Sequence, residues 1–315
     1  MSKEIVITYF EPFGGRTTNT SKEAAGQLSS YFSIELPVSW DSARQVLLEK
    51  LPKETKYLFL LGEAGSYQDV TVELMARNIS NGEDNYGVKK IEEKIDDGNN
   101  LVTSIVFNKK ELPVKYSYSA GKYLCNYIYY FSLKNIKGTK IVFVHLPYPR
   151  DDLSINDMKE KVEEIISYVT SNKYQIEVND YEHIKKAFRD IREEVFIKEQ
   201  GFEYEFDDID YDATHFLLYV DNKPVGTCRL FFDKKLNAYH LGRVAVKKEY
   251  RHLGVGSMLL SEVEKYLCRL GENEVILGSQ LTATDFYKKN GYIEYGNVYL
   301  DEGVEHIHMK KEICG

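Results

Sequence analysis

Cys125 is the single cysteine and His145 the single histidine within residues 1 to 173. Together they are the minimum for an activated thiol nucleophile, in which a thiolate attacks and an imidazole takes and returns a proton. Cys125 falls early in a helix that Ser119-Ala120-Gly121 introduces, where the field of a helix N-terminus favours a thiolate. His145 comes directly off the apolar run Lys140 to Val144, at a carboxyl end of a sheet strand, the edge at which α/β proteins usually build sites. A carboxylate to orient the imidazole would complete the set. Free cysteine is also among the most buried residue types, so core packing is the competing reading of Cys125.

A second group able to do chemistry is the turn Arg251-His252-Leu253-Gly254-Val255-Gly256. It lies between an apolar strand, Gly242 to Val246, and an amphipathic helix, Ser257 to Leu270. Glycines at 254 and 256 let successive backbone N–H groups point into one concavity at a helix N-terminus, where an anion such as a pyrophosphate is favoured. Taken alone, two glycines before a helix are more often a tight turn than a phosphate cradle.

The elements that must position these residues follow from periodicity. In the first part strands alternate with helices: strand Glu4 to Tyr9, helix Ser21 to Leu28, strand Ile34 to Val38, helix Asp41 to Leu51, then strands Tyr57 to Leu61 and Val70 to Arg77. A helix opening near Ala120, the strand Lys140 to Val144 and a helix Ser154 to Tyr168 complete it. Several strands are apolar at every position, which implies a three-layer α/β/α sandwich with a largely parallel sheet. The polar stretch Thr170-Ser171-Asn172-Lys173 marks a boundary, giving domains of 1–173 and 174–315. The second part reads as an α+β domain with a central mixed sheet. It runs from strand Tyr174 to Val178 through helix Tyr181 to Lys198, the acidic loop Glu203 to Asp212, two strands joined by a turn at Asn222-Lys223, and strand Ala238 to Val246. The glycine turn, its helix, strand Glu274 to Gly278, helix Thr282 to Asn290 and closing strands follow.

Composition bounds the function classes. A formal charge of -8 and few basic clusters argue against a phosphate-tracking surface, so nucleic acid is not an expected partner. No segment reaches the roughly 18 to 20 apolar residues needed to cross a bilayer, and the N-terminus lacks a signal-peptide pattern. These readings lead us to expect a cytoplasmic protein with no membrane partner. Cys125, Cys228, Cys268 and Cys314 stand singly with no CxxC spacing, which predicts isolated thiols, no metal and no disulfide framework.

The motifs of the second part then resemble a known family. Arg251-x-x-Gly254-x-Gly256 is similar to the pyrophosphate loop of GNAT acetyltransferases, and Arg243-Val244-Ala245-Val246 to the strand that pairs with the pantetheine arm. Ala283 to Tyr292 resembles the closing signature, in which a tyrosine, here Tyr287, faces the sulfur of CoA. Val195 to Gly201, Ala213 to Phe216, Gly278 to Gln280 and Asp301 to Met309 look like the ElaA-type branch. The resemblance implies a GNAT fold and acetyl-CoA as cosubstrate. Val244, Ala245, Val246, Arg251, His252, Leu253, Gly254, Val255 and Gly256 would bind it, and Tyr287 would supply a proton. Glu199 is a candidate base. His215, His240, His306 and His308 are too strand-like to rank, although His306 is the most interesting of them.

The first part is similar, in order, to pyroglutamyl peptidase type I. The similarity is carried by Phe10-Glu11-Pro12-Phe13-Gly14-Gly15 with Asn19, Leu61-Gly62-x-Ala64-Gly65, Val70 to Glu73, Asp84-Asn85-x-Gly87, Ser119 to Asn126 and Val144 to Tyr148. That resemblance implies a cysteine peptidase with catalytic Glu73, Cys125 and His145, and with Phe10, Phe13 and Asn19 binding the pyroglutamyl group. The stretch from Glu73 to Cys125 is shorter than in the family, a helix near Ser104 to Glu111 looks shrunken, and Tyr9 and Tyr118 replace smaller or polar residues. These departures predict a narrowed pocket or an altered specificity. The expectation is a bifunctional fusion acting on small amines or peptides, with a homo-oligomer left open. The alternative is an acetyltransferase whose first domain is a non-catalytic pyroglutamate- or peptide-binding module.

Overall fold

The computed structural model describes residues 3–203 and 205–314, and within them the chain forms two compact units. The first comprises residues 1–105, 112–172 and 269–271, and the second comprises 106–111, 173–268 and 272–315.

The first unit is built on β1 (Ile5–Phe10), α1 (Thr20–Gln27), β2 (Phe32–Leu36), α2 (Ser42–Lys50) and β3 (Tyr57–Glu63). Short strands follow: β4 (Thr71–Glu73), β5 (Met75–Ala76), β6 (Ser80–Glu83), β7 (Lys89–Glu93), β8 (Leu101–Val102) and β9 (Lys115–Ser117). Then come α3 (Leu124–Asn135), β10 (Lys140–Leu146) and α4 (Ile155–Thr170). The main sheet has the order β2-β1-β3-β10-β4-β9, and β2, β1, β3 and β10 are parallel. β4 runs antiparallel to β10, so the sheet is parallel at its centre and mixed at one edge.

Alternation along the strands sends Val6, Leu58, Leu60, Ile141 and Phe143 to one face, where they form one cluster with Ala43 and Leu47 of α2 and Leu124, Tyr127 and Ile128 of α3. The opposite face carries Ile7, Phe59, Leu61, Val142 and Val144, all buried, and α1 lies against β1, β3 and β10 with α4 beside it. The helix from Ser154 is held by a capping box with Asp157, and it buries Met158, Val162, Ile165, Ile166 and Val169. The strand expected over 70–77 is two pieces, because Leu74 separates β4 from β5 and the latter turns away to pair with β8. The region 104–111 contains no helix, and residues 106–111 cluster with the second unit.

The second unit contains β11 (Tyr174–Asn179), α5 (Tyr181–Arg192), α6 (Ile209–Asp212), β12 (Thr214–Val220), β13 (Lys223–Asp233) and β14 (Ala238–Val246). It continues with α7 (Val255–Leu270), β15 (Glu274–Gln280), α8 (Thr284–Lys289), β16 (Ile293–Asp301) and β17 (Val304–Glu312). The sheet order is β11-β12-β13-β14-β15-β17-β16. Only β14 and β15 are parallel neighbours, and they pair only through His240 with Ile276 and Leu241 with Leu277. Beyond Leu241 the two strands splay apart, so the backbone of 242–246 faces a gap on its β15 side.

Four local expectations change here. The helix from Tyr181 ends at Arg192 and continues as a π-helical stretch, Glu193–Glu199. The β12–β13 turn is centred on Asp221 and Asn222, both at positive φ, one residue earlier than Asn222-Lys223. The acidic loop of 203–212 includes α6, and Tyr204 lies outside the described residues. Finally, Cys268 and Cys314 form a disulfide, which corrects the expectation of isolated thiols. No short spacing signals a pair 46 residues apart; the return of β17 alongside β15 brings Cys314 to the end of α7.

Candidate active sites

In the first unit the register of β10 against β4 sets Glu73 opposite Phe143 and Thr71 opposite His145. Glu73, Phe143 and His145 therefore share one face, the α3 face. His145 Nδ1 is 2.7 Å from Glu73 Oε1, and Glu73 is fully buried. Cys125 is the second residue of α3, half-buried at the helix N-terminus. Its sulfur rests against Gly62 of β3: a Cβ at position 62 would meet Sγ of Cys125 at 2.7 Å and the Phe143 ring at 2.7 Å. Gly62 thus lets the thiol sit on the strand that pairs with β10. Burial pushes the His145 pKa down, but hydrogen bonds with Cys125 and Glu73 outweigh it and raise it to about 10.

Cys125 and His145 line a cavity of about 310 Å³ together with Phe10, Phe13, Tyr67, Tyr123 and Tyr148. Phe10 and Phe13 form an apolar wall of this cavity. Asn19 does not line this cavity. It is the N-cap of α1, accepting from Ser21 N at 2.9 Å and donating to Glu11 O at 3.1 Å, so its role is to fix the loop that carries Phe13. Tyr9 and Tyr118 are also absent from the lining; the tyrosines that narrow the cavity are Tyr67, Tyr123 and Tyr148.

Tyr67 is the residue that sequence reasoning missed. Its hydroxyl donates to Glu73 Oε1 at 2.9 Å, the same oxygen that meets His145, and its ring stands edge-on to the imidazole at 5.4 Å. Burial first, and the Glu73 charge next, push its pKa up to about 12, which keeps the phenol a donor. Glu73 Oε2 is buried with no hydrogen-bond partner, so both donors converge on one oxygen.

In the second unit the gap beside β14 opens into a cavity of about 680 Å³ at the N-terminus of α7. Val244, Val246, Arg251, His252, Gly254, Val255 and Gly256 line it, while Ala245 points into the core and Leu253 is exposed. The turn is held open from behind. Asn108 Nδ2 donates to Leu253 O at 2.9 Å and Lys110 Nζ to His252 O at 2.8 Å, which satisfies these two turn carbonyls. The first N–H groups of α7 have no acceptor within the helix. Gly254 has φ +89°, and a Cβ there would meet Asn108 Oδ1 at 2.5 Å; one on Gly256 would meet the Phe286 ring at 2.9 Å. Lys109, Lys110, Arg251 and Lys289 are in the lining, so the cavity matches a phosphorylated ligand in charge as well as in backbone.

Glu199 binds Arg251 with two bonds, at 2.5 and 2.7 Å, and that partner holds its carboxyl below the usual range. It therefore anchors Arg251, and it is absent from the linings of both cavities in this unit. Tyr287 is buried, and burial raises its pKa far above the ordinary phenol value. It lines this cavity and a neighbouring one of about 470 Å³, which also includes Arg229, His240, Arg243, Asp301 and His306. Val244 and Ala283 are likewise common to both linings. His215 stacks on Phe188 and contacts Asp210 O, and His308 stacks on Tyr295 and Tyr299; neither lines a cavity described here. Among the described residues no group of His, Cys, Asp and Glu is arranged to hold a metal ion, and no helix is long and apolar enough to cross a membrane.

Comparison with known proteins places both units. The profile of the pyroglutamyl peptidase family matches residues 3–173, and that of the GNAT acetyltransferase domain matches residues 161–313. A protein of Bacillus subtilis named as an uncharacterized N-acetyltransferase, YjcF, is 37% identical over 134 residues, 42% of this chain and 94% of its own. A pyrrolidone-carboxylate peptidase of Fusobacterium nucleatum is 31% identical over 172 residues, 46% of this chain and 78% of its own. The solved pyrrolidone carboxyl peptidase of Fervidobacterium islandicum is 28% identical with a TM-score of 0.47, covering 53% of this chain and 97% of its own. The chain belongs to the pyroglutamyl peptidase family through its first half and to the GNAT acetyltransferases through its second.

Proposed function

We propose that the protein is bifunctional, removing N-terminal pyroglutamate from peptides with residues of about 1–173 and transferring acetyl groups from acetyl-CoA to an amine with residues of about 174–315. The observation that carries the first activity is that Cys125 and His145 line one cavity walled by Phe10 and Phe13, with Glu73 buried 2.7 Å from His145. The Cys125 thiolate attacks the pyroglutamyl carbonyl, a C–S bond forms, and the resulting oxyanion expels the peptide amine as His145 delivers a proton to the leaving nitrogen. Water then cleaves the thioester, giving its proton to His145 and restoring the thiolate. Glu73 holds His145 in the tautomer with hydrogen on Nδ1.

The second activity is supported by the glycine turn, the splayed strands and the basic lining at the start of α7. Acetyl-CoA supplies an activated thioester there. The N–H groups of 254–257 receive phosphate oxygens, and Tyr287, held in its neutral form, gives a proton to the departing sulfur.

Hydrolysis of a pyroglutamyl-coumarin amide by the wild type and Cys125→Ala tests the first activity. We expect turnover that the variant lacks, and equal traces from both would refute the peptidase. For the second, acetyl-CoA at about 100 times its Kd should stabilise the protein by about 2.7 kcal/mol. An unmoved unfolding midpoint would count against the transferase.

A further inference from the structure

We propose that the cavity adjoining Tyr287 takes an aliphatic diamine as acetyl acceptor and that His306 removes the proton from its reacting nitrogen; this rests on the transferase reading above. The first support is the tautomer. His306 Nδ1 lies 2.9 Å from the carbonyl oxygen of Val304, and a carbonyl only accepts, so Nδ1 carries hydrogen. In the neutral ring the lone pair is then on Nε2, which has no protein partner among the described residues. The ring is held by Tyr299, stacked at 5.8 Å with planes 30° apart, and His306 pairs in register with Gln280 across β15. Gly278 gives Tyr299 its place, because a Cβ there would collide with the Tyr299 hydroxyl.

The second support is that His306 and Tyr287 line the same cavity, and Tyr287 also lines the donor cavity. One proton acceptor and one proton donor thus line the same cavity, and the donor is shared with the acetyl-CoA cavity. The balance is complete. The ammonium gives one proton to Nε2, the freed amine attacks the thioester carbon, C–N forms and C–S breaks, and the thiolate takes the Tyr287 proton. The nitrogen loses its second proton as the tetrahedral adduct collapses, and that proton, relayed by water, replaces the one Tyr287 gave to sulfur; His306 passes the first proton to water.

The third support is charge. Glu205, Asp207, Asp301 and Glu302 line the cavity against only two cations, Arg229 and Arg243. Both guanidiniums are already committed: Arg229 to Asp207 at 2.5 Å and Asp210 at 2.8 Å, and Arg243 to Glu205 at 3.1 Å and Asp207 at 3.4 Å. Arg229 Nε is buried without an acceptor, but the charge of each guanidinium is already matched by its carboxylates. Asp301 and Glu302, in the β16–β17 turn, have no ion-pair partner among the described residues. Phe196, Phe202 and Phe231 provide an apolar wall for a methylene chain between two nitrogens. The groups around His306 are Tyr299 from β16, Tyr287 from α8, His240 and Arg243 from β14, Glu305 on its own strand, and the two turn carboxylates.

The test uses the full chain with acetyl-CoA and three matched acceptors: a four-carbon diamine, the corresponding monoamine, and the corresponding amino acid with a carboxylate in place of the second nitrogen. We expect kcat/KM to fall in that order, with the diamine favoured over the monoamine by about two- to thirtyfold, the range for two partly exposed charges. Asp301→Asn with Glu302→Gln should erase that preference. His306→Ala should lower kcat by about a hundredfold or more and remove the acid limb of the pH profile, while added imidazole restores rate. His306→Gln, which retains a polar side chain on β17, serves as the second variant. Retained stabilisation by acetyl-CoA shows that each variant is folded. A wild type that neither binds acetyl-CoA nor acetylates any amine overturns the transferase and the proposal together. Acetyl-CoA binding without acetylation of the diamine, or equal rates on all three acceptors, overturns the acceptor class alone. An acid limb that persists in both His306 variants, with no response to imidazole, overturns the base.

Discussion

Replacing Tyr67 with phenylalanine removes one oxygen from the molecule and isolates the coupling between Tyr67, Glu73 and His145. In the wild type Glu73 Oε1 takes hydrogen bonds from Tyr67 at 2.9 Å and His145 at 2.7 Å, while Oε2 is buried and unpartnered. The variant leaves a buried carboxylate with one side-chain donor. A hydrogen bond to a charged group contributes about 1.5 to 3 kcal/mol. If the whole amount is lost from the orientation of His145 in the transition state, kcat/KM falls by about 10- to 150-fold. KM should change little, since the ring that lines the cavity stays. The pH profile carries a second signature. His145 is held at about 10 against burial by Cys125 and Glu73. Without the phenol to share its charge, Glu73 holds the imidazolium proton more tightly, so the basic limb moves upward. The assay is pyroglutamyl-coumarin hydrolysis across about pH 5 to 11, with circular dichroism to confirm folding. A variant with both an unchanged kcat/KM and an unmoved basic limb would falsify the coupling.

Three further outcomes are expected. Gly62→Ala places a Cβ within 2.7 Å of the thiol, so Cys125 must shift; peptidase turnover should fall by about a hundredfold while stabilisation by acetyl-CoA is retained, and unaltered turnover would refute the close approach. His240 is lowered to about 4, chiefly by burial, so the folded state resists its protonation: its contribution is present above pH 6.5 and is lost as pH falls toward 4. It amounts to up to about 3 kcal/mol, and urea midpoints for wild type and His240→Gln should converge between those limits; a constant difference would be the contrary result. Reduction of Cys268–Cys314 opens a loop with a sequence separation of 46, which costs about 4 kcal/mol by loop entropy. Cys314→Ser should lower the unfolding midpoint as dithiothreitol does and make the protein insensitive to it.

The parts legible in the sequence were those where one residue type has few alternatives. Gly254 and Gly256 are needed because Asn108 and Phe286 occupy the space of a side chain. Strands such as Lys140–Leu146 are apolar at nearly every position because both faces are covered. Tyr67 was hidden because a tyrosine carries no motif until the fold lays it over Glu73. Asn19, expected to bind the pyroglutamyl group, instead caps α1, which begins at Thr20, one residue before the expected start. Lys109 and Lys110 lie far from the glycine turn in sequence, so their place in its cavity depends on the path of 106–111. The Cys268–Cys314 pair depends on where β17 returns, which is long-range information.

The disulfide also changes what a broken chain would do. Residues 268–314 form a closed covalent ring that contains Tyr287, His306 and the exposed turn at Glu302 and Gly303. A protease that cuts this turn would not divide the molecule, since both new ends remain tied through sulfur. The cut form would run as one species without reductant and as two with it, and the proton donor and the imidazole would lie on opposite fragments.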